Sequence, residues 1–233
     1  MLLLVNGDSH TAGAEAVNSH SFAYDDPRYL HWGRQPHPDN LKASWGLKLS
    51  KMLNAVPVVL AESASSNTRI LRTTQEWLDK WDGNDELLII IQWSTWEREE
   101  WLINGEYFQV NASGIDDVPE SHKEQYKKYI ANVDWNACTQ RWHKEIWKFH
   151  KELEEKNINH IFFNGNTDFS AIKDQKDWGT SYIGPYDKHL TYNVYLQTIG
   201  NQTVRANSYH YGEQAHSNWS RFLVRYIVDN KLV

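Results

Sequence analysis

The sequence predicts a three-layer α/β/α sandwich built on a parallel, doubly wound sheet, and three observations carry that expectation. Short apolar runs alternate along the chain with stretches of helical period. One run, Leu87 to Ile91, is apolar at every position, which suits a central strand covered on both faces. A chain of 233 residues is also long enough to bury such a sheet within one domain.

The elements follow in order. Met1 to Val5 form a buried strand that stops at a tight turn over Asn6, Gly7 and Asp8. From Ala12 to Ser44 the chain is rich in His, Pro, Asp, Arg and aromatics without a clean period, which predicts a long ordered loop of the kind that carries function. Trp45, Leu47, Leu49, Met52 and Leu53 share one helix face, and Val56 to Leu60 follow as a β-branched strand interrupted by Pro57. Ser66 or Asn67 caps a helix reaching about Asp82, with Ile70, Leu71, Trp77, Leu78 and Trp81 on one side and Gly83 and Asn84 closing it. Glu86 to Gln92 is the central strand.

Residues 97–134 are mixed and charged, with turns at Gly105, Asn111 and Gly114, and read as an insertion folded over a site. Asn136 to Lys156 is an amphipathic helix whose stripe is Trp142, Ile146, Phe149 and Leu153. The strand His160 to Phe163 comes next, and a last helix runs from about Glu213 to Val228. Strand and helix in strict alternation predict flavodoxin-like winding with the site at the carboxyl ends of the strands. The expected organisation is a single domain, 1–233, with loop insertions at about 12–44 and 97–134, and no internal repeat or low-complexity tract.

Composition narrows the function. Lys and Arg number 24 against 30 Asp and Glu, a net charge of -6, so attraction to a phosphate backbone is not favoured and no nucleic-acid partner is expected. The lone cysteine, Cys138, provides neither a disulfide framework nor a cysteine-rich zinc site. Asp25, Asp26, His31, His37 and Asp39 lack a recognised ligand spacing and read as a solvated loop, so no metal and no cofactor is expected. The N-terminal apolar run is too short for a signal-peptide core, and no segment reaches the roughly 18 apolar residues of a membrane span. The expectation is a soluble protein that stays where it is made or is carried in an assembly such as a virion. The 12 Trp and 12 Tyr are divided between core and a binding surface.

Two clusters carry chemistry. Gly7, Asp8, Ser9 and His10 follow the first strand, so Ser9 sits at the carboxyl edge of the sheet where free backbone N–H groups can stabilise an alkoxide or an oxyanion. Asp and Ser after a strand are also ordinary turn and cap residues. The deciding cluster lies near the other end, where His210 precedes Gly212, Glu213, Ala215, His216 and Trp219 at the entry to the last helix. A serine and a histidine so placed can meet across the top of the sheet as nucleophile and base.

On these residues the chain resembles the SGNH (GDSL-like) hydrolase family along most of its length. Gly7, Asp8, Ser9 matches the family's first block, and the resemblance makes Ser9 the nucleophile. Ala61 to Asn67, with Arg69 and Ile70, is similar to the second block, in which the N–H of Ala64 would join the oxyanion hole at a position usually held by glycine. Ile91, Gln92, Trp93, Ser94 falls where the third block carries an oxyanion-binding asparagine, which Ser94 or Thr95 would replace, and Asn67 could reach the same place. His210, Tyr211, Gly212 to Trp219 resembles the block of the catalytic histidine. The aspartate expected just before it is replaced by Asn207 and Ser208. His210 is then oriented by an amide such as that of Asn207, by a backbone carbonyl, or by an acid from elsewhere such as Glu213 or a residue of the insertion. The stretch Trp93 to Trp101 is closer to phage and marine-virus members than to bacterial lipases.

The implied activity is that of a carboxylic ester hydrolase working through an acyl-enzyme. The expected substrate is a small-molecule or carbohydrate ester carrying a short acyl group, with His10 and a wall of Trp32, Trp93, Trp96 and Trp101 lining the substrate site. The substitutions at Ala64, Ser94 and Asn207 leave a second reading, a virion or glycan-binding protein that keeps the fold without cleaving.

Overall fold

The computed structural model describes residues 1–18, 35–112 and 114–233. Strands β1 (Leu2–Asn6), β2 (Val56–Val59), β3 (Leu87–Trp93) and β6 (Asn159–Asn164) form one sheet in the order β2-β1-β3-β6, with every neighbouring pair parallel. Leu4 lies opposite Val58 on one side and Ile89 on the other. The helices that cover the sheet are α3 (Trp45–Met52), α4 (Asn67–Leu78), α6 (Trp135–Glu155), α7 (Tyr192–Thr198) and α8 (Glu213–Asp229); the short α1 (Ser9–Ala12) and α2 (Pro38–Ala43) lie near its rim.

Alternation of side chains along β3 explains the three layers. Leu87, Ile89, Ile91 and Trp93 enter a core with Ile70 and Leu78 of α4 and Trp142, Ile146, Phe149 and Leu153 of α6. Leu88 and Ile90 point the other way, into a core with Trp45 and Leu49 of α3, Leu196 of α7, and Trp219, Leu223 and Ile227 of α8. Every residue of β3 is buried, as a parallel strand between two helix layers requires. Pro57 is tolerated because β2 is an edge strand, where a missing N–H leaves no ladder bond unmade.

The expected helix at 45–53 is preceded by a second one, α2, and Ser44 divides the two: its N–H bonds to the carbonyl of Leu41, and its hydroxyl accepts from the N–H of Leu47. The insertion is more regular than its composition suggests. β4 (Glu99–Ile103) and β5 (Glu106–Val110) make an antiparallel hairpin, followed by α5 (Lys123–Ala131). Its turn is Asn104-Gly105, both left-handed at φ 52° and 88°, the conformation a two-residue hairpin loop demands. The hairpin is bolted to α4: Arg72 donates through two nitrogens to Glu100 at 2.8 Å each, and Gln109 accepts from the N–H of Ser66 at 2.9 Å.

Parallel strands finish on one side, so Asn6, Trp93 and Asn164 lie along a single rim, from which the following loops rise. Asn6 anchors that rim. Its side chain accepts from the N–H of Gly7 and donates to the carbonyl of Ile70 and the hydroxyls of Thr73 and Thr74. Among the described residues no helix is long and apolar enough to cross a membrane.

Candidate active site

The turn after β1 is built around a buried carboxylate. Asp8 caps α1 by accepting from the N–H of His10 at 3.1 Å, and it also accepts from Gln92 Nε2 at 2.8 Å, Ser94 Oγ at 2.9 Å and Arg98 at 3.3 Å. Burial alone would raise this carboxyl, but the nearby His10 and Arg98 charges and these hydrogen bonds outweigh it and hold the group below its ordinary value. Gly7 is required by close approach: a Cβ there would stand 2.2 Å from the hydroxyl of Thr11. Thr11 in turn donates to Gln92 at 2.8 Å, so the turn that carries Ser9 is tied to the end of β3 at two points.

Ser9 opens α1 and faces His210, which comes from the loop before α8. Ser9 Oγ lies 2.9 Å from His210 Nε2, and on the other side of the ring Nδ1 lies 2.7 Å from Glu15 Oε2. The carboxylate of Glu15 also accepts from Ser208 Oγ at 2.6 Å and from Arg205. Burial raises the Glu15 carboxyl, yet the bonds from Ser208 and His210 and the charges of His210 and Arg205 prevail and hold it below its usual value. Serine, histidine and carboxylate thus form a continuous hydrogen-bonded line with the geometry of a nucleophile, its base and the group that orients the base.

Backbone contacts set this line. The N–H of Ala14 bonds to the carbonyl of Ser9, that of Glu213 to the carbonyl of Ala16, and that of Val204 to the carbonyl of His210. The loop before α8 is thereby fastened to the turn that presents Glu15. Glu15 itself is left-handed at φ 60°, as is Ala64 at φ 63°. Non-glycine residues seldom adopt this region, and both of these line the same cleft.

That cleft has a volume of about 840 Å³ and is walled by residues from each strand end: Ser9 and His10 after β1, Ser63 and Ala64 after β2, Thr95, Glu97 and Arg98 after β3, and Asn166 after β6. Glu15, Arg205, Tyr209 and His210 close one side, and Asn111 and Ala112 of the insertion another. Among the described residues, neither the N–H of Ser9 nor that of Ala64 has a hydrogen-bond acceptor. Two backbone donors without protein acceptors, on residues that line the same cleft as the Ser9 hydroxyl, are candidate elements of an oxyanion hole.

Other expected site residues lie elsewhere. Asn207 is exposed at a tight turn in which the N–H of Ser208 bonds to the carbonyl of Arg205; this turns Ser208 inward and Asn207 out, and Glu15 occupies the place beside His210. Glu213 is paired with Lys48 at 2.7 Å. Ser94 spends its hydroxyl on Asp8, and the amide of Asn67 is engaged twice by the backbone of Ser94, accepting at 2.7 Å and donating at 3.1 Å, so neither side chain is free for an oxyanion. Trp93 and Trp96 are fully buried in the core, Trp96 stacked on Phe169 at 4.5 Å, because the alternation of β3 turns Trp93 inward beneath the rim. Trp101 packs edge-on against Tyr129 within the insertion.

His10 does line the cleft. Burial lowers its pKa to about 4 despite the attraction of Asp8, so the ring is neutral at neutral pH. His37 caps α2 by accepting from the N–H of Asp39, while Asp25, Asp26, His31 and Trp32 lie outside the described residues. Among the described residues no three His, Cys, Asp or Glu side chains gather as metal ligands would.

The residue that sequence reasoning missed is Glu15. Its signal was position: apart from Asp8 it is the only acid among the first 24 residues, set between two alanines six positions after Ser9.

Comparison with known proteins gives three findings. A family profile described as "Family of unknown function (DUF6071)" matches residues 35–162, a stretch holding Ala64, Thr95, Glu97, Arg98 and Asn111 but not Ser9, Glu15 or His210. None of the curated proteins matches. Among solved structures, the chain is similar to a protein described as belonging to the G-D-S-L lipolytic family from Desulfitobacterium hafniense DCB-2, at 14% identity and TM-score 0.37, covering 97% of this chain and 99% of that one. It is also similar to an acetyl xylan esterase from the rumen bacterium Butyrivibrio proteoclasticus, at 15% identity and TM-score 0.42, covering 97% of this chain and 63% of that one.

Proposed function

The chain belongs to a family of unknown function, DUF6071, so its chemistry rests on its own residues, and we propose that it is a serine ester hydrolase of the SGNH type acting through an acyl-enzyme. The observation that carries the proposal is the line Glu15, His210, Ser9, joined at 2.7 and 2.9 Å at the mouth of an open cleft.

In this reading the ionised Glu15 accepts from Nδ1–H of His210 and fixes the tautomer that leaves Nε2 free to accept. Nε2 removes the proton from Ser9 Oγ as it attacks the ester carbonyl, and the N–H groups of Ser9 and Ala64 receive the oxyanion. His210 returns the proton to the departing alcohol. It then takes a proton from water as the water attacks the acyl-serine, and gives that proton to Ser9 Oγ as the bond to the acyl group breaks and the acid is released. The alcohol is a small molecule or carbohydrate and the acyl group short, since the cleft is open and lined largely by polar side chains. The support for a sugar is this polar lining, because the tryptophans expected to stack on a ring are in the core.

A second reading is a glycan-binding or virion protein that keeps the fold without turnover. One observation favours it: Ser94 and Asn67, the side chains expected to bind the oxyanion, are both engaged by other groups. Turnover of p-nitrophenyl acetate separates the two. The enzyme hydrolyses it and Ser9→Ala does not; absence of turnover from mildly acidic to mildly alkaline pH would exclude the enzyme and leave the binder.

A further inference from the structure

We infer that Glu97 determines specificity by accepting a hydrogen bond from a free hydroxyl on the alcohol side of the substrate. The inference rests on the esterase reading and goes beyond it, because it assigns the recognition of the alcohol to one carboxylate contributed by the loop that leads into the insertion.

Among the described residues, the buried polar atoms without a hydrogen-bond partner, tryptophan nitrogens aside, are His10 Nδ1, Ser63 Oγ, Glu97 Oε2, Asn164 Nδ2, Thr167 Oγ1 and Asn193 Oδ1. Four of these six residues, His10, Ser63, Glu97 and Asn193, line the cleft that holds Ser9. Buried polar groups are normally satisfied, so a concentration of unpaired ones around one cleft marks where a ligand completes them. Three of the four atoms are oxygens, and a carboxylate oxygen only accepts. What Glu97 Oε2 and Asn193 Oδ1 lack is a donor, and the Ser63 hydroxyl can take either role.

Glu97 is the most strongly prepared of them. Its Oε1 accepts from the hydroxyl of Thr95 at 3.0 Å, and its backbone carbonyl accepts from the hydroxyl of Tyr129 at 2.5 Å, which holds the residue from both ends and leaves Oε2 alone. A neutral hydroxyl supplies that donor without bringing a further charge into a cleft whose Arg98 and Arg205 are already paired with Asp8 and Glu15. An ester whose alcohol lacks the hydroxyl would leave the carboxylate oxygen desolvated and unpaired, and recognition of this kind discriminates more sharply than apolar contact does.

The test compares kcat/KM for 2-hydroxyethyl acetate and propyl acetate, esters of equal size that differ by one hydroxyl, after correction for their alkaline hydrolysis rates. The wild-type protein is expected to prefer the hydroxylated ester roughly 10- to 100-fold, the range of a hydrogen bond to a charged group. Glu97→Met is expected to bring the ratio close to one, and Glu97→Gln, which keeps the shape and gives up the charge, to fall between. A wild-type ratio near one overturns the inference without recourse to any variant, and so does a preference that survives in both variants. If the wild type hydrolyses both esters without preference, only the role of Glu97 is lost. If it hydrolyses neither and p-nitrophenyl acetate is also untouched, the esterase reading falls with it.

Discussion

Glu15→Gln is expected to lower kcat about ten-thousand-fold while leaving the fold intact. The size follows from which way the amide must lie. Arg205 donates to Oε1 of Glu15 and therefore selects an oxygen at that position, which turns the amide nitrogen toward Ser208 and Nδ1 of His210. A donor facing Nδ1 forces the ring to carry its own proton on Nε2, opposite Ser9, where it can no longer take one. The imidazolium formed during attack also loses its counter-charge. Glu15→Asp, which keeps the carboxylate but shortens the reach, is expected to retain far more activity. Steady-state kinetics on p-nitrophenyl acetate read both variants, and near-wild-type kcat in Glu15→Gln would remove Glu15 from the mechanism.

His210→Ala is expected to lower kcat by about a million-fold, and the Ser9→Ala, His210→Ala pair to be no worse than either single change. Non-additivity is the informative part. A nucleophile and its base act on one proton, so once the base is gone the hydroxyl contributes little, and once the hydroxyl is gone the base has nothing to deprotonate. Residual rate above that of water would come from the N–H groups of Ser9 and Ala64, which neither substitution removes. If the two losses instead multiply, the side chains are acting separately and the hydrogen bond between them has no catalytic meaning.

The parts of this arrangement legible in the sequence are those that depend on local pattern. The unbroken run of β3 predicts cover on both faces, and alternation of strands with amphipathic helices predicts the winding; both appear in the structure. Ser9 and His210 could be paired from afar because each sits at a strand or helix terminus whose place on the rim follows from the winding. Glu15 stood out only as an isolated acid, because its pairing with Ser208 and His210 joins side chains more than 190 residues apart in the chain, and no spacing encodes that. Trp93 failed for the opposite reason. It ends a strand of alternating faces, and the same period that makes Ile89 and Ile91 core places Trp93 in the core too. The hairpin of the insertion was legible in Asn104-Gly105, a dipeptide that reports a tight turn between strands, but its meaning was masked by the charged residues on either side. Ala64, the proposed oxyanion donor, sits at a visible cost: it holds a left-handed place that glycine would occupy more freely, at φ 63°, with its N–H directed to no protein acceptor among the described residues.

The most direct measurement is the site of covalent capture. After incubation with a fluorophosphonate, intact mass and peptide mapping are expected to show one adduct, located on Ser9, that forms quickly in the wild type, slowly in Glu15→Gln and not at all in Ser9→Ala. An adduct on another residue, or no adduct in a folded wild-type protein, would contradict the assignment of Ser9 as an activated nucleophile.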